Sequence, residues 1–180
     1  MLTLTASDRS RISEHKRLYR SAFPLNERFP WHMLVKRAKA GKAELLTLDD
    51  DGKNTGFAYV ITNEYLAYLF FFAVRKDCRG KGIGAEAIKL LIRRYSGKRL
   101  FLAIEPLDET SDNYDERVKR HGFYLNSGLI DLPCRLKEFK MIYSVMSAGS
   151  DIPAGDFRSM MDSFFGKLIN RILDVRIIES

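Results

Sequence analysis

Residues 66–74 read Leu-Ala-Tyr-Leu-Phe-Phe-Phe-Ala-Val, apolar or aromatic at every position. A strand with one face in water alternates apolar and polar residues; an unbroken apolar run predicts a strand covered on both faces. Directly after it come Arg75-Lys76-Asp77-Cys78 and then Arg79-Gly80-Lys81-Gly82-Ile83-Gly84. From Ile83 to Tyr95 the residues Ile83, Ala87, Leu90, Leu91 and Arg94 recur at helical spacing, which predicts an amphipathic helix. A buried strand, a basic glycine loop and a helix in direct succession require a sheet with a helix packed on at least one face.

The rest of the chain supplies the other layers. Leu2 to Thr5 predicts a short strand, and Ser7 and Asp8 offer an N-cap for a helix carrying Ile12, Leu18, Tyr19 and Phe23 near one face. Phe23-Pro24 breaks that helix, since proline lacks the amide hydrogen and restricts the residue before it. A second short helix is expected over Trp31 to Ala40, stopped by Gly41. Ala43–Leu48 and Gly56–Thr62 read as strands joined by the polar turn Asp49 to Asn54. Arg99 to Ile104 predicts another buried strand, and Asp112 to Arg120 a short polar helix ended by Gly122. Leu129–Leu132 and Phe139–Met146 predict a last strand pair. Asp156 to Leu173 predicts one C-terminal helix with Phe157, Met160, Met161, Phe164, Phe165, Leu168 and Ile169 inward, leaving Asp174 to Ser180 as a tail or an extra strand. The order β-α-α-β-β-β-α-β-α-β-β-α defines an α/β (α+β) fold: a mixed, mostly antiparallel sheet with helices on both faces. The 180 residues fit one compact domain spanning 1–180.

Composition narrows the function classes. No apolar run approaches the ~20 residues of a membrane span, and Met1-Leu2-Thr3-Leu4-Thr5-Ala6 lacks the basic and apolar regions of a signal peptide. The expectation is a cytoplasmic protein that does not engage membranes. Cys78 and Cys134 have no metal-type spacing with histidine and read as free thiols; His15, His32 and His121 are scattered, read as surface or helix-end residues, and suggest no metal. The formal net charge is +7. Basic residues are spread over the whole chain, as on a solvated surface, and the same charge suits a polyanionic small molecule. Nucleic acid is not expected, because the aromatic-basic interleaving of RNA-binding modules is absent.

The glycine loop carries the chemistry. A helix N-terminus presents unpaired N–H groups and the positive end of the helix dipole. Glycines allow close approach of an anion, and Arg79 and Lys81 add positive charge, so Arg79–Gly84 predicts a phosphate or pyrophosphate site. The spacing G-x-G-x-G is neither a P-loop, which needs Gly-Lys followed by Ser or Thr, nor the G-x-G-x-x-G of a dinucleotide fold.

The loop resembles the signature [Q/R]-x-x-G-x-[G/A] of the GNAT superfamily of N-acetyltransferases, with Arg79, Gly82 and Gly84 in the matching positions. The element order resembles that fold over most of the chain. Phe23-Pro24-Leu25-Asn26-Glu27-Arg28-Phe29-Pro30 and the Glu105-Pro106 exit resemble a bacterial subgroup with an F-P-x-x-E-R-x-P segment. The resemblance implies acetyl-CoA as acyl donor and no metal. Its pyrophosphate would meet the backbone of Arg79, Gly80, Lys81, Gly82, Ile83 and Gly84, and its pantetheine the backbone of Phe72, Ala73 and Val74. The acceptor would be a primary amine of a small molecule or peptide, and the protein a monomer or homodimer.

Direct acyl transfer needs an acceptor for the amine's proton and a donor for the leaving thiolate. Glu105, where its strand leaves the core, and Glu27, on the loop over the acceptor side, are the candidate bases; the plain alternative is pairing with arginine, Arg28 being next to Glu27. Glu27 with Asp108, Glu109 and Asp112 hints at a cationic acceptor. Many family members place a tyrosine one helical turn before a Gly-Phe pair. With Gly122-Phe123 as that pair the position is Val118, and Tyr114 on the same helix and Tyr124 just beyond it are both out of register, so either Tyr114 substitutes as the acid or solvent protonates the thiolate. The departure at Val118 opens a second reading, a catalytically degenerate protein that binds coenzyme A in a regulatory role.

Overall fold

The computed structural model describes residues 1–138, 140–149 and 151–178. In chain order the elements are β1 (Leu2–Ala6), α1 (Arg9–Ala22), α2 (Trp31–Lys39), β2 (Ala43–Asp50), β3 (Lys53–Thr62), β4 (Leu66–Val74), α3 (Ile83–Arg94), β5 (Arg99–Ile104), α4 (Tyr114–Asn126), β6 (Ile130–Glu138), β7 (Met141–Ser147), α5 (Ala154–Phe165), α6 (Lys167–Leu173) and β8 (Arg176–Ile178). The strands form one eight-stranded sheet in the order β1-β2-β3-β4-β5-β7-β6-β8. Every neighbouring pair is antiparallel except β4 and β5, which run parallel and are connected through α3.

Strand alternation sorts the core into two layers. On the first face Tyr59, Tyr68, Phe71, Phe101, Leu136 and Val145 pack against Tyr19 of α1, Leu34 of α2 and Phe157, Met161 and Phe164 of α5. On the second face Leu46, Leu48, Val60, Leu69, Leu102 and Met146 pack against Ala87, Ile88 and Leu91 of α3. This two-sided cover is why Leu66–Val74 and Arg99–Ile104 carry apolar residues without alternation. In β4 the alternation slips once: Tyr59 pairs with Phe71 but Val60 with Leu69, so Phe70 is the extra residue of a β-bulge. Phe70 and Phe71 then lie on the same face, with ring centroids 4.6 Å apart.

β3 hugs the far end of β4 unusually closely. A Cβ on Gly56 would lie 2.3 Å from the Ala73 carbonyl oxygen and 3.1 Å from Val74 Cα, so only glycine fits between these backbones.

Five expectations require correction. The polar helix does not stop at Gly122 but runs on to Asn126, because burial of Phe123 and Tyr124 against the second face outweighs the roughly 1 kcal/mol cost of an internal glycine. The C-terminal helix is two helices, broken at Gly166, whose φ of 92° and ψ of 141° are not helical. Leu168 and Ile169 consequently point outward, at 72% and 49% exposure. β6 is longer than Leu129–Leu132; Pro133 disturbs its ladder between Asp131 and Arg135 and masks the strand pattern. His15 is not a surface residue but fully buried, tilted against Phe57 with Asn54 and Gly56 beside its ring. Residues 176–178 form β8, the extra-strand alternative for the tail; Phe139, expected to open β7, and Glu179 and Ser180 of that tail lie outside the described residues. Asp8 caps α1 as expected, accepting from the Arg11 amide, and both cysteines are free thiols.

Candidate active site

The glycine loop leads from the end of β4 into the N-terminus of α3. Gly80 and Gly82 have φ of 73° and 79°, and Gly82 is the N-cap of the helix. Neither position is crowded, so it is the left-handed backbone that calls for glycine there. Among the described residues, the amides of Gly80, Lys81, Gly82, Ile83 and Gly84 donate to no protein acceptor. Five consecutive free donors at the positive end of a helix form an anion cradle. Arg79 Nε donates to the Val74 carbonyl (3.0 Å) and Lys81 Nζ to the Asp77 carbonyl (3.0 Å), tying both cations to the strand end and the loop.

Between β4 and β5 the sheet opens. Only Leu66–Tyr68 pair with Arg99–Phe101. Beyond that point β4 stays with β3, up to the Gly56–Val74 pair, while β5 stays with β7, up to the Ile104–Ser144 pair. Phe72, Ala73 and Val74 border the resulting gap, with the glycine loop at its open end. The edges facing it are unpaired strand edges, able to bond an extended amide-bearing chain.

The first face at this end of the sheet collects carboxylates. Glu105 continues the parity of Phe101 and Ala103, Tyr143 that of Val145, and Glu138 that of Leu136; Glu27 comes from a one-turn 3-10 helix at Leu25–Glu27. Glu105 is held by two arginines of α4: Arg117 lies 3.1 Å from one oxygen and Arg120 2.8 Å from the other. Asn113 Nδ2 donates to the first oxygen at 3.5 Å. The pairing alternative thus applies to Glu105, though with Arg117 and Arg120. Glu27 makes no ion pair with Arg28 among the described residues. Its carboxyl is raised above the ordinary value by desolvation and then by the charge of Glu105, with Arg120 opposing.

Glu138 and Tyr143 are the residues that sequence reasoning missed. Glu138 is half-buried and has no ion-pair partner among the described residues. Burial, and then the negative charge of Glu27, push its carboxyl up to about 7. Burial and the charges of Glu138, Glu27 and Glu105 push the Tyr143 hydroxyl up to about 12. The available signal was an acidic residue at an inward position of the Leu132–Leu136 alternation, hidden because the strand was placed too short.

The extended α4 changes the tyrosine register. The glycine that follows the helix is Gly128, and the residue one turn before Gly128-Leu129 is Tyr124 rather than Val118. Val118 is 42% exposed. Tyr124 packs against the second-face core and its hydroxyl is pushed up to about 12 by burial, Arg120 opposing. Tyr114 is the first residue of α4, half-buried, next to the Asn113 that touches Glu105. The remaining histidines stay outside the site; His121 Nε2 contacts the Asp131 carboxylate at 2.8 Å. Among the described residues no group of three or more metal-ligating side chains occurs, and no helix is long and apolar enough to cross a membrane.

The site is thus a parallel pair of strands that parts beside a glycine-capped helix in a mixed sheet. The family model described as "Acetyltransferase (GNAT) family" matches residues 12–123, and the chain belongs to that family. A Bacteroides thetaiotaomicron protein assigned to the GNAT acetyltransferases superposes with a TM-score of 0.71 at 17% identity, covering 95% of this chain and 98% of that one. An aminoglycoside 6'-N-acetyltransferase complexed with coenzyme A gives 0.61 at 14% identity, covering 84% and 99%. A spermidine N-acetyltransferase SpeG chimera from Vibrio cholerae and hSSAT gives 0.61 at 15%, covering 81% and 93%. At these identities the likeness is one of fold. A search of the curated proteins gives no significant match.

Proposed function

We propose that this chain transfers an acetyl group from acetyl-CoA to a primary amine of a small molecule or peptide. The observation that carries this reading is the run of unpaired amides from Gly80 to Gly84, set at the open end of the β4–β5 gap. Acetyl-CoA supplies the activated acyl group as a thioester. The backbone of Arg79–Gly84 binds its pyrophosphate, with Arg79 and Lys81 adding charge. The β4 edge at Phe72, Ala73 and Val74 orients the pantetheine arm, and an N–H of that edge polarises the thioester carbonyl. Tyr124, beside the Phe123 that lies against Gly84 in the first turn of α3, is the proton donor for the leaving thiolate in place of Tyr114.

The solved structures of similar fold include proteins named for acetylating an aminoglycoside, spermidine and a ribosomal-protein alanine. Each of these is an amine, which supports an amine acceptor here. The degenerate, regulatory reading rests on Val118; the end of α4 at Asn126, which brings Tyr124 into register with Gly128, supports turnover instead. Calorimetry with acetyl-CoA and coenzyme A, followed by thiol release with polyamine, aminoglycoside and N-terminal peptide acceptors, tests the proposal. Micromolar binding with release above background is the expected result; no heat and no thermal shift at sub-millimolar ligand would sink it.

A further inference from the structure

Resting on the acetyltransferase reading, we infer that Glu138, the inward-facing end of β6, accepts the proton of the attacking amine. Three carboxylates share the first face beside the gap, and they differ in how they are partnered. Both oxygens of Glu105 are engaged by guanidinium groups. To take a proton it would have to give up charge-assisted bonds to Arg117 and Arg120, so it serves to fix α4 against the end of β5. Glu27 is solvent-exposed on its turn. Glu138 has neither condition: it follows the fully buried Leu136 by two residues on the same face and has no counter-ion among the described residues.

The groups that interact with Glu138 are all acidic or neutral. Glu27 from the α1–α2 connection acts on it, and Glu138 in turn acts on Tyr68 from β4 and Tyr143 from β7. Tyr68 is buried and stacks on Phe101 at 4.7 Å, next to the last residues where β4 and β5 still pair. By register Glu138 faces Met141, three positions beyond the Ile104–Ser144 pair that ends β5, so it stands toward the mouth of the gap, on the face from which an amine would approach the thioester. A carboxyl that titrates near 7 is half ionised at neutral pH and is a far stronger base than an ordinary glutamate.

The step balances simply. The bound ammonium passes one proton to the Glu138 carboxylate and becomes a neutral amine. As the N–C bond forms and the C–S bond breaks, the nitrogen sheds a second proton to solvent, the leaving sulfur takes the Tyr124 hydroxyl proton, and solvent reprotonates Tyr124. Glu138 returns its proton to solvent.

The test uses the full chain with Glu138→Gln and Glu27→Gln. Glu138→Gln is expected to lower kcat/KM by about a hundredfold or more and abolish the acidic limb of the pH–rate profile, with acetyl-CoA affinity unchanged. Glu27→Gln is expected to move that limb to lower pH. Carboxyl carbon NMR of the free protein is expected to show Glu138 titrating near 7, a readout that needs no acceptor. Retained activity with an intact acidic limb in Glu138→Gln, or titration of Glu138 in the ordinary glutamate range, overturns the inference. Failure of the wild-type protein to bind acetyl-CoA instead overturns the acetyltransferase reading beneath it.

Discussion

The two sides of the β4–β5 gap are built from different materials. The side proposed for the coenzyme consists of main chain: five amides without a protein acceptor among the described residues, two left-handed glycines and a strand edge. The side proposed for the acceptor consists of side chains drawn from separate parts of the sequence, with Glu105, Glu138 and Tyr143 brought together by the sheet order β5-β7-β6 and Glu27 joining them from the α1–α2 connection. A main-chain site needs its residues consecutive, so it survives as a motif. A side-chain site needs only parity and register, which a sequence shows once the strands are correctly bounded. The first side answers to backbone substitution and the second to charge.

The largest expected effect separates the two directly. Tyr124→Phe should reduce the turnover number by about a hundredfold while leaving acetyl-CoA affinity within a few-fold, as measured by thiol release and calorimetry. Val118→Phe should change neither. Equal loss in both variants would return the helix register to Gly122.

Next in size is a pair of opposed pH effects on the first face. His15 is held down to about 4 by burial, against 6.5 when unfolded. The unfolded chain therefore binds a proton that the folded chain refuses, and stability falls by up to about 3 kcal/mol as pH drops from 6.5 to 4. Glu138, raised to about 7 from 4.5, works in the other direction: stability falls as pH rises from 4.5 to 7. Thermal melts across pH 4.5–6.5 should be nearly flat for these two groups together. His15→Leu should leave a melting temperature that falls with rising pH, and Glu138→Gln one that falls with dropping pH.

On the coenzyme side, Gly82→Val places a β-branched residue at φ of 79° and should weaken acetyl-CoA binding by about tenfold or more, with little change in the amine KM. The smallest effect concerns the Glu105 clamp. Glu105→Gln leaves Arg117, 15% exposed, without its counter-ion, and should cost about 1–2 kcal/mol in urea unfolding. A loss of activity far larger than this stability change would reinstate Glu105 as the base.

Much of the fold was legible because its central strands are covered on both sides. Leu66–Val74 and Arg99–Ile104 were bounded correctly from apolar continuity alone, and Asp8 announced α1. The errors have a common cause, in that tertiary contacts overruled local punctuation. Gly122 reads as a stop but is carried inside α4 by its buried neighbours, whereas Gly166 sits in an unbroken helical pattern and does stop it. Pro133 reads as a break but lies within β6. The first of these misplacements hid Tyr124 and the last hid Glu138, so the acceptor side was lost through element boundaries rather than through residue chemistry.

Gly56 gives the gap a mechanical dimension. Where β5 has turned away, the last residues of β4 are held from behind by β3 alone, backbone against backbone with no side chain as a spacer. The aperture proposed for the coenzyme is thus gauged from its blind side. A methyl group at position 56, far from any ligand atom, would act as a shim, driving Ala73 and Val74 forward into the opening and tilting the glycine loop that hangs from them.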